Sequence, residues 1–534
     1  MKREISILIE KTIKEAQEKG LFAEFSIPEI LVEASEEKTH GDYASNIALK
    51  LAGIIQRYPM EIAEIISNEI KTKEKKIFTK IEVLAPGFLN FFLSENYLQN
   101  QIKEILKEKD HYGDLKIGKN KKVQVEFISA NPTGPLTIGN ARGGFFGDVL
   151  GNVLAKAGFN VEKAYYVNDY GMQILALGHS VLKDEQAVYK GDYIEYLNKK
   201  IKEKDPYRAG ETAAKTIIEE MIKKTVAKMG IEYYEWISET GFHKQGLIDK
   251  ILADFKKKGL TYEQDGALWF RSTDYGDNRD RVLVKKDGWK TYLAGDAGLH
   301  YYKFSKKKFS KVINIWGADH YGDVAGLQAV VEALGAKGKL EILLLQFVTL
   351  MLDGEVFKVS KRKGTYVTID DLMEMINVDV ARFFFLMRSP DTHFNFDINL
   401  AKEQSEKNPV YYVQYAHARI CSIIKKIPNC ESANKLAGSS TKFDLLKHPS
   451  ELSLVKLLIQ FPEIIAETTK DYQVQRLPQY ALELATGFHQ FYCDCRVICD
   501  DKELSRCRTS LIMATKIVLK NTLGLIGVSA PEKM

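Results

Sequence analysis

Val123–Val167 reads VQVEFISANPTGPLTIGNARGGFFGDVLGNVLAKAGFNVEKAYYV, and its changes of period decide the fold. Val123–Ile128 alternates like a strand, and Asn131–Gly134 is turn chemistry. From Gly139 to Ala157 the apolar residues Phe146, Val149, Leu150, Val153, Leu154 and Ala157 recur at the spacing of a helix. Gly158 stops that helix, and Val161–Val167 reads as the next strand. Strand, helix, strand in this order implies a parallel pair and a Rossmann-like, doubly wound sheet. Such sheets bind ligands at their carboxyl edge, where helix N-terminal amides point outward. Gly134–Gly139 has the spacing of a phosphate loop, but Asn140-Ala141 stands where Lys-Ser/Thr would, which rejects a Walker A loop. The helix mouth instead offers Thr137 and Asn140 as neutral donors. Taken alone, this stretch also fits an ordinary β-α turn.

Outward from this unit, the sequence suggests a multidomain α/β chain. Residues 1–112 begin with an amphipathic helix and continue through HGDYASNIALKLA and KIEVLAPGFLNFFL, the mixture of a small α+β domain. Residues 113–375 carry the parallel-sheet domain. A Lys/Glu-rich helical insertion is read at about 180–260, and strands at Arg281–Lys285, Val312–Trp316 and Glu341–Val348 supply the second half of the sheet. Residues 376–534 read as an all-α helical bundle, with Asn408 as cap and Pro409 at the first helical position.

Composition narrows the class. A net charge of +5 is mildly basic, so a polyanionic partner is permitted but not demanded. The run Ile342–Leu352 is broken by Gln346 and is too short to span a bilayer, so a cytoplasmic chain without membrane contact is expected. All 6 cysteines lie in the last quarter. FHQFYCDCRVICDDKEL reads as helical, where residues two apart do not share a face, so no metal site is expected there.

Two further segments carry chemistry. Lys358-Val359-Ser360-Lys361-Arg362-Lys363-Gly364 places four cations in a probable loop. It is either a solvated run or a set of side chains that neutralise a pyrophosphate leaving group. Trp316-Gly317-Ala318-Asp319-His320 follows a strand, where Gly317 lets a flat ring approach the backbone and Asp319 or His320 reaches a ribose.

In this order the three pieces resemble a class I aminoacyl-tRNA synthetase: a HIGH-like turn, a GxDH segment and a KMSKS-like loop. The flanks are similar to arginyl-tRNA synthetases in particular. They include EFISANPTGPL, YVNDYG, DGALWFRSTDYGDNRDRVLV, TYLAGD, VARFFFLMRSPDTHFNFDINLA and LGLIGVSAPEKM, together with HGDYASNIALKLA and APGFLNFFL. The resemblance covers nearly the whole chain. It implies ATP-dependent formation of arginyl-adenylate and transfer of the arginyl group to tRNA. ATP would arrive with Mg2+ as substrate, with no permanently bound cofactor, and the chain would act as a monomer.

It also implies residue roles. Thr137, Asn140, Lys358, Ser360 and Lys361 are the expected catalytic set. ATP is expected at Gly134, Pro135, Thr137, Gly139, Asn140, Gly317, Asp319, His320, Lys358 and Lys361. Arginine is expected at Glu126, Ser129, Asn131, Asn140, Tyr292 and Asp296, and tRNA at Asn46, Tyr411, Tyr415 and Arg419. Tyr292 and Asp296 are four apart and share a helix face, and a guanidinium wants carboxylate acceptors. Both histidines of the HIGH pattern are replaced, by Thr137 and Asn140, and Leu299 stands where the family has a Tyr. Lys303, Lys306, Lys307, Lys308 and Lys311 form a basic cluster that either meets tRNA backbone or is solvated.

Overall fold

The computed structural model describes residues 1–35, 37–71, 76–357, 367–427, 435, 441 and 443–534. Lys122–Glu126 forms the centre of a five-stranded sheet, because Val123 and Val125 are buried on one side and Gln124 and Glu126 on the other. The spatial order is Leu340–Leu345, Lys311–Gly317, Lys122–Glu126, Asn160–Val167, Glu235–Ser238, with every pair parallel. The chain fills one side of the central strand first and then crosses to the other. The strand order therefore reverses beside Lys122–Glu126, and a crevice opens at its carboxyl end.

The helix Ile138–Lys156 covers this central strand. Gly147 allows the close approach: a Cβ there would lie 2.2 Å from Cγ of the buried Phe127. Gly147→Ala is therefore expected to destabilise the chain by about 1–3 kcal/mol through overpacking, read as a lower urea midpoint. An unchanged midpoint would show that Phe127 can move aside.

Several sequence expectations require correction. Arg281–Val284 does not extend the parallel sheet; it pairs antiparallel with Ala267–Phe270, which pairs in turn with Thr261–Gln264. The cause is local. Asp265 and Gly266 both have positive φ, 53° and 75°, so they make a tight two-residue hairpin of Thr261–Gln264 and Ala267–Phe270, and Arg281–Val284 adds to its free edge. The expected strand Glu341–Val348 is two strands. Leu340–Leu345 closes the parallel sheet, whereas Val348–Leu352 pairs parallel with Phe394–Asp397. That second pairing also puts a strand inside the region read as all helical. The helical insertion contains the strand Glu235–Ser238, which completes the main sheet.

The N-terminal region packs the helices Lys2–Glu18, Ile47–Ile55 and Pro59–Lys71 on a four-stranded antiparallel sheet. Toward the C-terminus lie the helices Pro409–Lys425, Pro449–Asp471, Arg476–Asp494 and Lys502–Leu525. Asn408 caps the first by accepting from the Val410 amide at 3.0 Å. The cysteine-rich stretch is not one helix. It breaks after Asp494, and Asp501 starts the next helix by accepting from the Glu503 and Leu504 amides, both at 3.0 Å. Cys421, Cys493, Cys495, Cys499 and Cys507 form no disulfide among the described residues, and Cys430 lies outside them. Among the described residues, no cluster of three or more His, Cys, Asp or Glu is placed to hold a metal ion, and no helix is long and apolar enough to cross a membrane.

Candidate active site

Where the strand order reverses, a cavity of about 670 Å3 is lined by Glu126, Ser129, Asn131, Gly139, Asn140, Tyr292, Asp296, Gly317, Asp319 and His320. Four separate chain segments thus converge on one crevice. Gly134, Pro135 and Thr137 do not line it. Gly134 packs against the Tyr193 ring, whose hydroxyl donates to Thr133 O at 3.0 Å, so this turn is covered by the insertion. Lys358, Ser360 and Lys361 lie outside the described residues. The chain that follows them is anchored at the helix mouth: Ile138 N donates to Val367 O at 3.2 Å, and Ile369 N donates to Leu136 O at 3.0 Å.

The exit from the central strand is strained. Ile128 and Ser129 have φ of 64° and 40°, a conformation costly for a β-branched residue. Local bonds hold it there. Ser129 N donates to Phe127 O at 2.9 Å, its hydroxyl donates to Glu126 Oε1 at 3.1 Å, and its Oγ accepts from Tyr166 N at 3.1 Å. The turn carries Ser129 and Asn131 into the cavity.

At the helix mouth, the two residues in place of histidines hold each other. Asn140 Oδ1 accepts from Thr137 N at 2.9 Å and from its hydroxyl at 3.2 Å. This reciprocal cap satisfies donors that the helix leaves open. Thr137 is half-buried, and its hydroxyl is engaged by Asn140. Asn140 and Gly139 both line the cavity, and the Nδ2 donors of Asn140 are not used in this cap.

The opposite wall is acidic. Tyr292 and Asp296 lie on the helix Tyr292–Tyr301. Burial first, and then the charges of Glu126 and Glu239, push the Asp296 carboxyl up to about 8, against the pull of Lys303. A carboxyl this reluctant to ionise binds a cation best once its proton has left. Below the raised value the proton competes with the ligand. The affinity of a cationic ligand held by Asp296 is therefore expected to rise by roughly tenfold per pH unit and to level off near pH 8, measured as Kd across that range. A flat profile would mean that Asp296 is already ionised throughout.

Two residues missed in the sequence belong to this wall. Glu239 opens the helix Glu239–Lys244 at the carboxyl end of a sheet strand, and it is buried against Gly295, where a Cβ would come within 2.5 Å of its Oε1. An acid directly after a strand was the available signal. Tyr166 lines the cavity, and its buried hydroxyl is set against the Glu239 carboxylate. Leu299 is buried in the core and does not line the cavity.

Three lysines of the basic cluster are held by partners, while Lys306 and Lys308 are exposed. Lys303 is fully buried on Glu126 and Asn314, Lys307 bridges Glu162 and Glu235, and Lys311 pairs with Glu341 and Tyr472. Among the expected tRNA residues, Tyr411 and Tyr415 stack with rings 6° from parallel. Arg419 lies 5.6 Å over Tyr415 and 4.5 Å over Tyr492, while Tyr412 packs on His489. Asn46 is half-buried at the start of the Ile47–Ile55 helix, and its Oδ1 has no hydrogen-bond partner among the described residues.

Family models match three parts of the chain: the arginyl tRNA synthetase N-terminal domain over residues 3–93, the class I (R) tRNA synthetase catalytic domain over 101–192 and 179–382, and the DALR anticodon binding domain over 413–534. The arginine–tRNA ligase of Caldanaerobacter subterraneus subsp. tengcongensis is 43% identical, with 100% of this chain and 99% of that protein covered. The arginine–tRNA ligase of Bacillus subtilis is 42% identical, with 96% of each covered. The solved arginyl-tRNA synthetase of Thermus thermophilus, 21% identical, shares the fold over the full length of both chains with a TM-score of 0.78. With this coverage and identity, and a cavity at the sheet edge assembled from the segments that resemble the family, the chain belongs to the arginyl-tRNA synthetases.

Proposed function

We propose that this protein ligates L-arginine to its tRNA with ATP, through an arginyl-adenylate. The observation that carries this reading is the acidic wall. Among the described residues, Asp296, Glu126 and Glu239 stand together against one buried ammonium, that of Lys303, which leaves this wall short of positive charge. A guanidinium supplies it, and Asp296 with Tyr292 offers it an acceptor pair on one helix face.

In the first step the arginine carboxylate oxygen bonds to the α-phosphorus of ATP, and the bond to pyrophosphate breaks. Ser129 and Asn131 hold the amino-acid end. Gly139 and the Nδ2 donors of Asn140, at the positive end of the Ile138–Lys156 helix, receive phosphate oxygens. Gly317, Asp319 and His320 take the adenosine. Lys358 and Lys361, with Ser360, neutralise the departing pyrophosphate. Gly134, Pro135 and Thr137 contribute to the phosphate end from the turn that leads into that helix. Mg2+ accompanies ATP as part of the substrate and shields its charge. In the second step the terminal tRNA hydroxyl attacks the arginyl carbonyl and AMP leaves.

The tRNA reading rests on Tyr411, Tyr415 and Arg419, an aromatic face beside a cation that suits stacking on unpaired bases, and on Asn46 in the N-terminal region. The domain reading remains 1–112, 113–375 with the insertion at about 180–260, and 376–534. We place the protein in the cytoplasm as a monomer. Attachment of labelled arginine to bulk tRNA, dependent on ATP, tests the proposal. Failure to charge with arginine, or charging with another amino acid instead, would overturn it.

A further inference from the structure

Lys303 is the least expected residue near the cavity. It sits in the π-helical turn Tyr302–Lys306, which continues the helix that carries Tyr292 and Asp296. Its side chain is fully buried. Its ammonium meets Glu126 Oε2 and donates to Asn314 Oδ1 at 3.1 Å. Asn314 Nδ2 lies 3.1 Å from His300 Nε2, and His300 Nδ1 lies 2.8 Å from the Asp296 carbonyl. Burial, together with Lys303, holds the His300 imidazolium form well below its usual range. The ring is therefore neutral, and its partners fix the proton on Nδ1, which donates to the carbonyl. On the other side, Glu126 Oε1 accepts from Ser129. One unbroken polar chain thus runs from the backbone of Asp296, through Lys303, to the strained Ser129 turn.

A surface lysine pair would be worth little. This one is buried, and an ion taken that far out of water needs its partner. The pairing also has a chemical consequence: with an oxygen bonded to Lys303 and the other to Ser129, Glu126 has less to offer a ligand than its position on the wall suggests.

We propose that Lys303 is the specificity-determining counter-ion of the amino-acid pocket, pairing with Glu126 so that Asp296 alone takes the substrate guanidinium, and tying the Asp296 helix to the Ser129 turn. This inference rests on the arginine reading. Lys303 acts through other residues and is a positioning residue. The groups that act on Asp296 are Glu126 from the central strand, Glu239 from its helix start, Asp323 after the Gly317 strand and Lys303 from its own helix. Tyr166 and Arg281 line the same cavity.

The test is arginine-dependent ATP–pyrophosphate exchange, with tRNA present, across about pH 6 to 9. Lys303→Met is expected to raise the arginine KM at least about tenfold and to move the pH limb of kcat/KM for arginine toward alkali, because a neighbouring cation has gone while Glu126 remains. The ATP KM should stay within about twofold. Glu126→Gln should move the limb the other way. The double variant should return it close to the wild-type position, since both opposing charges are then removed together. A purely structural pair would lower the melting temperature and leave the limb in place. An unmoved limb in both single variants overturns the inference. If Lys303→Met does not fold, Glu126→Gln decides alone: an acid-ward shift supports the inference and an unmoved limb overturns it. No arginine-dependent exchange by the wild-type protein would instead remove the functional reading itself.

Discussion

Asp296→Ala is expected to raise the arginine KM by about 100- to 1000-fold while the ATP KM changes by about twofold or less. The size follows from removing one partner of a desolvated, charge-assisted pair, which costs about 3–4 kcal/mol. The selectivity follows from position. Asp296 lies on the acidic wall with Tyr292, whereas the proposed adenosine residues Gly317, Asp319 and His320 come from another segment. Asp296→Asn should act in the same direction, since it keeps the shape and loses the charge. The pH rise in arginine affinity toward about 8 should disappear in either variant, because the titrating group is gone. Steady-state exchange kinetics in both substrates make the measurement. Equal losses for arginine and ATP would show that the guanidinium is held elsewhere.

Arg382→Met is expected to destabilise the fold by about 3–5 kcal/mol, the cost of breaking a buried, hydrogen-bonded charge pair. Arg382 is 1% exposed, and each of its three guanidinium nitrogens donates a hydrogen bond. It donates to Met229 O at 2.6 Å, to Ile526 O at 2.9 Å and to the Asp148 carboxylate. Four segments therefore meet at one side chain: the Ile138–Lys156 helix, the insertion just after its Lys223–Lys228 helix, the Val378–Leu386 helix and the chain just after the last helix. Methionine fills much of the space but leaves two carbonyls without their donors. Asp148 retains Lys163 at 2.6 Å, which limits the loss to a few kcal/mol. Arg382→Lys should recover only part of it, because an ammonium cannot reach three acceptors in a plane. Denaturant unfolding reads the effect. A change below about 1 kcal/mol would mean that this junction relaxes around a neutral side chain.

The parts of the fold legible in the sequence were those set by neighbouring residues. The strand, turn and helix of Val123–Val167 and the Asn408-Pro409 start depend on local period and capping alone. Partner choice was not legible. Arg281–Val284 alternates as well as any strand of the main sheet, yet it pairs with the free edge of Ala267–Phe270, the second strand of the hairpin that the Asp265-Gly266 turn makes. Glu341–Val348 reads as one apolar run, yet it breaks at Gln346, whose N–H goes to Pro390 O and whose carbonyl accepts from Arg142 at 2.7 Å.

The same limit governs the site. Tyr292 and Asp296 could be paired by helical spacing. Glu239 faces that helix only because Gly295 opposes it with no side chain. Lys303 belongs to a run of basic residues by sequence, but its place on the π-helical turn sends it inward while Lys306 stays at the surface. Thr137 and Asn140 stood where donors to ATP were expected; their mutual cap explains how the helix mouth is held without histidine.

The central claim is that an acidic wall short of one cation selects the substrate. ATP–pyrophosphate exchange with arginine beside citrulline, its uncharged isostere, tests this most directly, with tRNA present throughout. The account predicts strong exchange with arginine and at least about 1000-fold less with citrulline, as expected when buried acceptors lose a charged partner. Comparable exchange with the two would contradict it.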